Sequence, residues 1–209
     1  TIDGCGPSGE GSIPSGRTLM KTKSGFDCCL IIHGCPQSQE NIMPKDKRWM
    51  NWLEDKLQKK GFEAVAPDMP TSWRPHYLEW KKVFEQYSVT RKTVLVGHSC
   101  GAAFLVRWLL ETKKIVKKLI LVSPAKIPET VDDSRHDLYN FFLPEKVTRL
   151  AEEVVVFTSN DFSHHLKSLE LYIKALKPRV IRLENKKHFL YFQMGTNEFP
   201  ELLKEVITT

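Results

Sequence analysis

The stretch TVLVGHSCG, residues 93–101, decides the fold. It begins with four residues that favour a β-strand, and the segment that follows it, 102–110, is mostly apolar. This order predicts a buried strand, a sharp turn and a buried helix. The turn has the pattern G-x-S-x-G, in which a serine hydroxyl projects from a strained strand-to-helix turn. The pattern indicates Ser99 as a nucleophile.

The two glycines of this motif have a steric reason. A sharp turn brings the strand and the helix so close that side chains at Gly97 and Gly101 would collide with them. Ser99 itself is expected at an unusual backbone angle, because strain of this kind is stored at functional sites.

Composition and hydrophobic pattern predict one α/β domain. The chain has 209 residues, 41% of them apolar and 27% charged. Residues 1–16 are rich in Gly, Ser and Pro, so we interpret 1–19 as a flexible leader or a vector-derived segment and 20–209 as the domain. Strands are predicted at 26–32, 62–66, 93–96, 118–123, 154–159 and 180–183, and helices at 47–60, 77–86, 102–110, 164–176 and 199–207. This alternation predicts a mainly parallel sheet of about six strands with helices on both faces.

Charge and cysteine usage argue against several classes of protein. The net charge of +6 comes with lysines scattered in pairs along predicted helices, so we expect solvated faces and no nucleic acid. No apolar run is long enough to span a bilayer, and none near the N-terminus resembles a signal peptide. The five cysteines form no C-x-x-C motif, so reduced thiols in a cytoplasmic protein are expected. We expect a monomer or small homo-oligomer that does not bind membranes.

Polar residues that follow the strands supply a candidate catalytic site. Ligands bind beyond the carboxyl ends of parallel strands. A serine nucleophile of this architecture needs an acid and then a histidine later in the chain. Asp161 follows the fifth strand and His188 the sixth, so these two residues with Ser99 are the candidate triad. His164 and His165 are rivals for the base, expected at a helix N-terminal turn.

Backbone donors are predicted beside the nucleophile to stabilise negative charge on a substrate oxygen. One is the N–H of Cys100, the residue after Ser99. The other comes from the turn after the first strand, either Cys35 N–H or, alternatively, Gly34 N–H. We interpret the two cysteines as small packing residues, with oxidation of the pair as an alternative.

Other candidates receive simpler interpretations. Asp68 precedes the serine and is expected to stabilise a loop. Trp73 and Phe141 are candidates for lining an acyl pocket, although core packing explains them equally well. No Cys or His spacing matches a structural zinc site, so we expect no metal. His33 and His98 are expected to play structural parts, with His98 pointing away from the nucleophile.

Several segments together resemble a known family. They are HGCP at 33–36, GFEAVAPDMP at 61–70, VLVGHSCGA at 94–102, LILVSPA at 119–125, TSND at 158–161 and KHF at 187–189. With them the chain resembles the small, nearly lidless serine hydrolases of the α/β-hydrolase fold, typified by retinoblastoma-binding protein 9 and its bacterial YdeN-like relatives. The resemblance implies a triad at Ser99, Asp161 and His188. Lys187 departs from the family, in which a glycine commonly precedes the histidine.

The resemblance implies a cofactor-free serine esterase. The 62 positions from Ser99 to Asp161 leave no room for a large cap, so little or no lid and small acyl esters, less readily amides, are expected. Two alternatives remain at this point. One is a weakly active or inactive protein-binding module with the same fold, and the other is an acyltransferase that uses the same triad.

Overall fold

Six parallel strands form the sheet of the protein, which we describe from a computed structural model covering residues 26–147 and 149–208. The strands are β1 (Cys28–Ile32), β2 (Glu63–Val65), β3 (Thr93–His98), β4 (Val116–Val122), β5 (Ala151–Thr158) and β6 (Arg179–Arg182). Each predicted strand is present, with ends shifted by at most three residues. The predicted leader, 1–19, lies outside the described residues.

The strand order places a crevice beside the central strand. In space the strands follow the order β2-β1-β3-β4-β5-β6, and every neighbouring pair is parallel. The chain moves outward from β1 to β2 and then returns to pair β3 with β1, which reverses the direction of winding. In open parallel sheets ligands bind at such a reversal, outside the carboxyl ends of the strands. Those ends are Ile32 and His98, which directly precede His33 and Ser99.

Seven helices accompany the sheet in the described residues. They are α1 (Trp49–Lys59), α2 (Tyr77–Phe84), α3 (Cys100–Thr112), α4 (His136–Tyr139), α5 (Ser163–Leu176), α6 (Tyr191–Met194) and α7 (Pro200–Ile207). The sequence predicted five of them. It missed α4 and α6, because a helix of four residues is too short to show a hydrophobic period. Within residues 26–147 and 149–208, no helix has both the length and the apolar character that a bilayer crossing requires.

Helices cover both faces of the sheet, as predicted. Along β3, Leu95 packs into the cluster that contains apolar residues of α2, α3 and α5. Val94 and Val96 point the other way, into the cluster that α1 and α7 complete. The alternation follows from the two-residue period of a strand. A strand buried on both faces fixes the position of its carboxyl end firmly, and that end carries the candidate nucleophile.

The segment between β1 and α1 is the largest feature that the sequence left undescribed. It contains two short 3₁₀ turns, Gln39–Asn41 and Lys45–Lys47. Arg48 anchors it, donating from Nε to the carbonyl oxygen of Met43 and from Nη1 to Asp68 Oδ1 at 2.7 Å. Lys45 adds a second ion pair to Asp68, at 2.9 Å. Asp68 therefore stabilises a loop, as the sequence indicated.

Candidate active site

Ser99 lies on the predicted strained turn between β3 and α3. Its backbone angles are φ 51° and ψ −115°, a conformation that costs a non-glycine residue on the order of 1–3 kcal/mol. Two backbone hydrogen bonds hold it there, from Ser99 N–H to the Val122 carbonyl at 3.0 Å and from Ala125 N–H to the Ser99 carbonyl at 3.2 Å. The end of β4 and the residues after it thus fix the serine in place.

The space around the turn explains both glycines. A Cβ at Gly97 would lie 2.8 Å from the backbone of Ala102, and one at Gly101 would overlap the carbonyl oxygens of Ile32 and His33. The backbone of α3 at Gly97, and that of the end of β1 at Gly101, cannot move aside, so the predicted steric reason is confirmed at both positions. The helix α3 consequently starts almost in contact with the end of β1.

Asp161 and His188 meet at the same edge of the sheet. His188 Nδ1 lies 2.7 Å from Asp161 Oδ2, and Asp161 Oδ1 accepts a hydrogen bond from Phe162 N–H, also at 2.7 Å. The aspartate side chain is only 2% exposed. Since a carboxylate oxygen accepts, Nδ1 of the neutral ring donates and Nε2 keeps its lone pair. This is the tautomer that a general base needs.

The loop that carries His188 is held on both sides. Lys187 and Phe189 have φ of 47° and 59°, in the left-handed region. A glycine suits such a position best, so the lysine keeps the family's turn at a cost in strain. Gln193 Oε1 accepts from His188 N–H at 2.8 Å and from Leu190 N–H at 3.3 Å. No sequence pattern indicated this part for Gln193.

His98 also holds the His188 loop. The buried Nε2 of His98 lies 2.9 Å from the His188 carbonyl oxygen. A carbonyl only accepts, so Nε2 of His98 carries the proton. Burial lowers the pKa of His98 to about 3, and the ring stays neutral at physiological pH. The structural part that the sequence suggested for His98 is therefore the positioning of His188.

Ser99 and His188 line the same cleft. In the described residues their side chains form no direct hydrogen bond with each other. Catalytic hydrogen bonds are often long in a ligand-free site and tighten when substrate binds. The sulfur of Cys100 lies 4.0 Å from Ser99 Oγ. Ser99 and His188 thus meet at the cleft, and Asp161 reaches it through its hydrogen bond to His188, which is already formed.

His165 adds a second imidazole to this group. Its ring stacks on that of His188, with centroids 3.9 Å apart and planes 18° from parallel. Its Nδ1 lies 3.3 Å from Asp161 Oδ1. The sequence placed His165 at a helix N-terminal turn, where the structure has it, but gave it no contact with Asp161. The spacing of four residues between Asp161 and His165 was the available signal.

The charges of the group favour an ionised acid and a neutral base. Burial raises the pKa of the Asp161 carboxyl, but the imidazoles of His165 and His188 outweigh burial and bring it well below its ordinary value. Burial lowers the pKa of His188 below 6.5, against the opposing effect of Asp161. His188 can therefore accept a proton at neutral pH.

The pH dependence of turnover should follow this lowered pKa. We expect kcat/KM for an ester substrate to stay constant as pH falls through neutrality and to decline only below pH 6.5, because the neutral form of His188 is the active one. The profile should be measured in buffers that contain EDTA. A decline centred above pH 7 would contradict the assignment.

The two predicted sources of oxyanion donors both lie beside Ser99. Cys100 begins α3, and the first N–H groups of a helix have no intrahelical acceptor. Gly34 touches the turn that carries Ser99, since a Cβ at position 34 would lie 3.1 Å from Ser99 Cβ. His33 anchors the loop by accepting from Met69 N–H at Nε2 and donating from Nδ1 to the Gly34 carbonyl. Gly34 and Cys35 both line the cleft, and the choice between them stays open.

The thiols beneath the nucleophile belong to a polar network. Cys35 and Cys100 are free, and Cys100 Sγ lies 3.1 Å from the Tyr139 hydroxyl. Burial raises the pKa of Cys100, but hydrogen bonds from Cys35 and Tyr139 and the charge of Arg135 outweigh it and lower that pKa. Cys100 is fully buried, in keeping with the interpretation of a small packing residue.

The cleft is larger than the sequence indicated. Its volume is about 860 Å³, within the range of sites for drug-sized ligands. Apolar residues from the β1–α1 segment and from α6 form two of its walls, among them Ile42, Met43, Tyr191 and Phe192. The sequence missed these walls because they belong to irregular or very short elements.

The two candidate pocket residues have different surroundings. Trp73 lines the cleft, as predicted. Phe141 does not line it: the ring packs against the core cluster beside α3, with Lys126 Nζ 4.4 Å from its centroid. Of the two interpretations that the sequence left open for Phe141, the structure favours core packing over the lining of an acyl pocket.

Comparison with known proteins identifies the family. A sequence model described as "Serine hydrolase" matches residues 29–207, nearly all of the described chain. The chain belongs to this serine hydrolase family. The putative hydrolase YdeN of Bacillus subtilis is 30% identical over 136 residues, which cover 63% of this chain and 68% of YdeN. The serine hydrolase RBBP9 of Rattus norvegicus is 26% identical over 164 residues, 76% of this chain and 84% of RBBP9.

A solved structure extends the likeness to the fold of this serine hydrolase. The crystal structure of the ydeN gene product from B. subtilis has a TM-score of 0.72 at 20% identity, covering 88% of this chain and 98% of that one. The resemblance to small YdeN- and RBBP9-like α/β-hydrolases is confirmed. The comparisons support a hydrolase.

Proposed function

We propose that the protein hydrolyses carboxylic esters through an acyl–Ser99 intermediate. The observation that carries the proposal is the hydrogen bond of 2.7 Å between His188 Nδ1 and Asp161 Oδ2, beside the cleft that His188 and Ser99 both line. A serine hydroxyl is a weak nucleophile until an adjacent base takes its proton. The orientation of His188 leaves its Nε2 available for that transfer.

The steps follow from the positions of these groups. As Ser99 Oγ attacks the ester carbonyl, His188 Nε2 takes the hydroxyl proton, and Asp161 stabilises the imidazolium that forms. The oxygen of the tetrahedral intermediate is stabilised by Cys100 N–H and by an N–H of the Gly34–Cys35 turn. His188 then protonates the leaving alcohol. Water repeats the sequence on the acyl-enzyme and releases the acid.

The cleft supports esters with apolar groups. Its volume of about 860 Å³ and its apolar walls accept more than an acetyl group. Each buried methylene contributes about 0.8 kcal/mol. We therefore expect p-nitrophenyl butyrate to exceed the acetate in kcat/KM by up to about tenfold, and matched anilides to react more slowly. No cofactor or metal takes part in this mechanism.

A fluorophosphonate probe tests the proposal directly. The probe phosphonylates a serine only when a base activates it, so mass spectrometry should locate one adduct, on Ser99. Labelling should disappear in Ser99→Ala and fall sharply in His188→Ala, with circular dichroism confirming that both variants are folded. A folded wild-type protein that is neither labelled nor active on the ester series would overturn the proposal and favour the protein-binding alternative.

A further inference from the structure

Three side chains beside the proposed nucleophile bring metal-ligating atoms together. Asp161, His165 and His188 each offer one ligand atom, and these atoms lie within 4.8 Å of one another. Both histidines direct Nδ1 toward the same carboxylate, His188 at 2.7 Å from Oδ2 and His165 at 3.3 Å from Oδ1. Two imidazoles and one carboxylate are a common ligand set for Zn²⁺.

One of the ligand atoms has no hydrogen-bond partner. Nδ1 of His165 is buried and unpaired among the described residues, and the distance of 3.3 Å to Asp161 Oδ1 does not come with hydrogen-bond geometry. The side chain is 8% exposed. A buried polar atom left unpaired costs on the order of 1–3 kcal/mol, so it needs an explanation such as an ion. Nothing in the hydrolytic mechanism uses this nitrogen.

The three ligand atoms lie close enough for small shifts to bring them to the spacing of a tetrahedral ion. Bonds of 2.0–2.1 Å to zinc place neighbouring ligand atoms about 3.3 Å apart. The spacing between His165 Nδ1 and Asp161 Oδ1 already has this value. The spacing between His188 Nδ1 and Oδ2 would lengthen by about 0.6 Å as a metal ion replaces the shared proton. His165 and His188 both line the cleft, which gives an ion an entry path and leaves water as the fourth ligand.

We propose that Asp161, His165 and His188 form a Zn²⁺ site whose occupation switches the hydrolase off. Asp161 and His165 are four residues apart, but His188 comes much later in the chain, so no local zinc motif marks the three ligands. The expectation of no metal rested on the Cys and His spacings of structural zinc sites, which this group does not share. The metal here inhibits and is not a cofactor of the reaction.

Inhibition follows from the tautomer that metal binding imposes. Coordination requires the lone pair of His188 Nδ1, so the proton on Nδ1 leaves to solvent. Nε2 takes a proton from solvent in exchange, and the ring stays neutral with one proton in total. Nε2 then has no lone pair for the Ser99 hydroxyl. The metal therefore removes the base without covering the serine, and without any change of oxidation state.

Calorimetric titration of the whole chain with ZnCl₂ tests the site apart from activity. The titration is done on Ser99→Ala, which retains all three ligands. We expect binding of one ion, weakened at least about tenfold by adding His165→Gln and unchanged by adding His164→Gln. His164 is a matched control, because it precedes His165 in the same first turn of α5. Circular dichroism shows that each variant is folded.

The second arm measures the functional consequence, which rests on the proposed function. In the wild-type protein, Zn²⁺ should inhibit ester turnover and slow fluorophosphonate labelling of Ser99, and EDTA should restore both. The Zn²⁺ concentration that gives half-maximal inhibition should rise at least about tenfold in His165→Gln. The proposed site would be overturned, even if the enzyme proved active, by either of two results. Ser99→Ala binds no Zn²⁺, or it binds Zn²⁺ equally tightly with and without His165→Gln. An inactive enzyme that still binds Zn²⁺ through His165 would overturn only the proposed function.

Discussion

Replacing Asp161 with asparagine should lower kcat for ester hydrolysis by about 10⁴-fold, with little change in stability. Asp161 Oδ2 accepts a hydrogen bond from His188 Nδ1–H. An amide NH₂ group at this place donates instead, which moves the ring proton to Nε2 and leaves no lone pair for Ser99. Steady-state kinetics on a p-nitrophenyl ester, with EDTA present, measures the effect.

Asp68 provides the matched control for this experiment. It also lines the cleft, but its carboxylate pairs with Lys45 and Arg48 and contacts no candidate catalytic side chain in the described residues. We expect Asp68→Asn to lower kcat less than about tenfold, since these half-exposed ion pairs contribute little. An Asp68→Asn variant that loses more activity than Asp161→Asn would show that the acid is misassigned.

Replacing Gly101 with alanine should lower the free energy of unfolding by about 3 kcal/mol or more. The added Cβ overlaps the carbonyl oxygens of Ile32 and His33, which are fixed by the end of a central strand. The gain in helix propensity, about 1 kcal/mol, offsets only part of this strain. Urea unfolding followed by circular dichroism measures the change.

Gly195 separates steric overlap from the general effect of losing a glycine. It has a φ of 71°, and no heavy atom lies within 4 Å of an added Cβ. Gly195→Ala should therefore cost only about 1 kcal/mol, the strain of a left-handed alanine. Equal costs at Gly101 and Gly195 would contradict the close approach of α3 to β1.

The sheet was predictable because its strands carry strong local signals. Apolar, β-branched runs such as 93–96 and 154–159 indicate buried strands whatever surrounds them. Gly97 and Gly101 indicate a close contact between neighbouring elements. The order of Ser99, Asp161 and His188 in the chain likewise reflects the order of the strands that carry them. Local sequence therefore determined both the fold and the list of candidate residues.

The supporting contacts were not predictable because they join residues far apart in the chain. His98 meets the His188 carbonyl across 90 positions, and Gln193 acts from a helix of one turn. The cleft walls come from the β1–α1 segment, whose irregular backbone has no period. The sequence left two interpretations open for Phe141 for the same reason, since the direction of a side chain after a short helix depends on tertiary packing.

The bond from His98 to the carbonyl of His188 links two groups that the chain keeps apart. His98 is the last residue of β3 and directly precedes Ser99. The same strand end therefore carries the serine and, through His98, binds the backbone of His188. We therefore expect a displacement of the strand end to move both candidate residues together, so that their separation varies less than the position of either one.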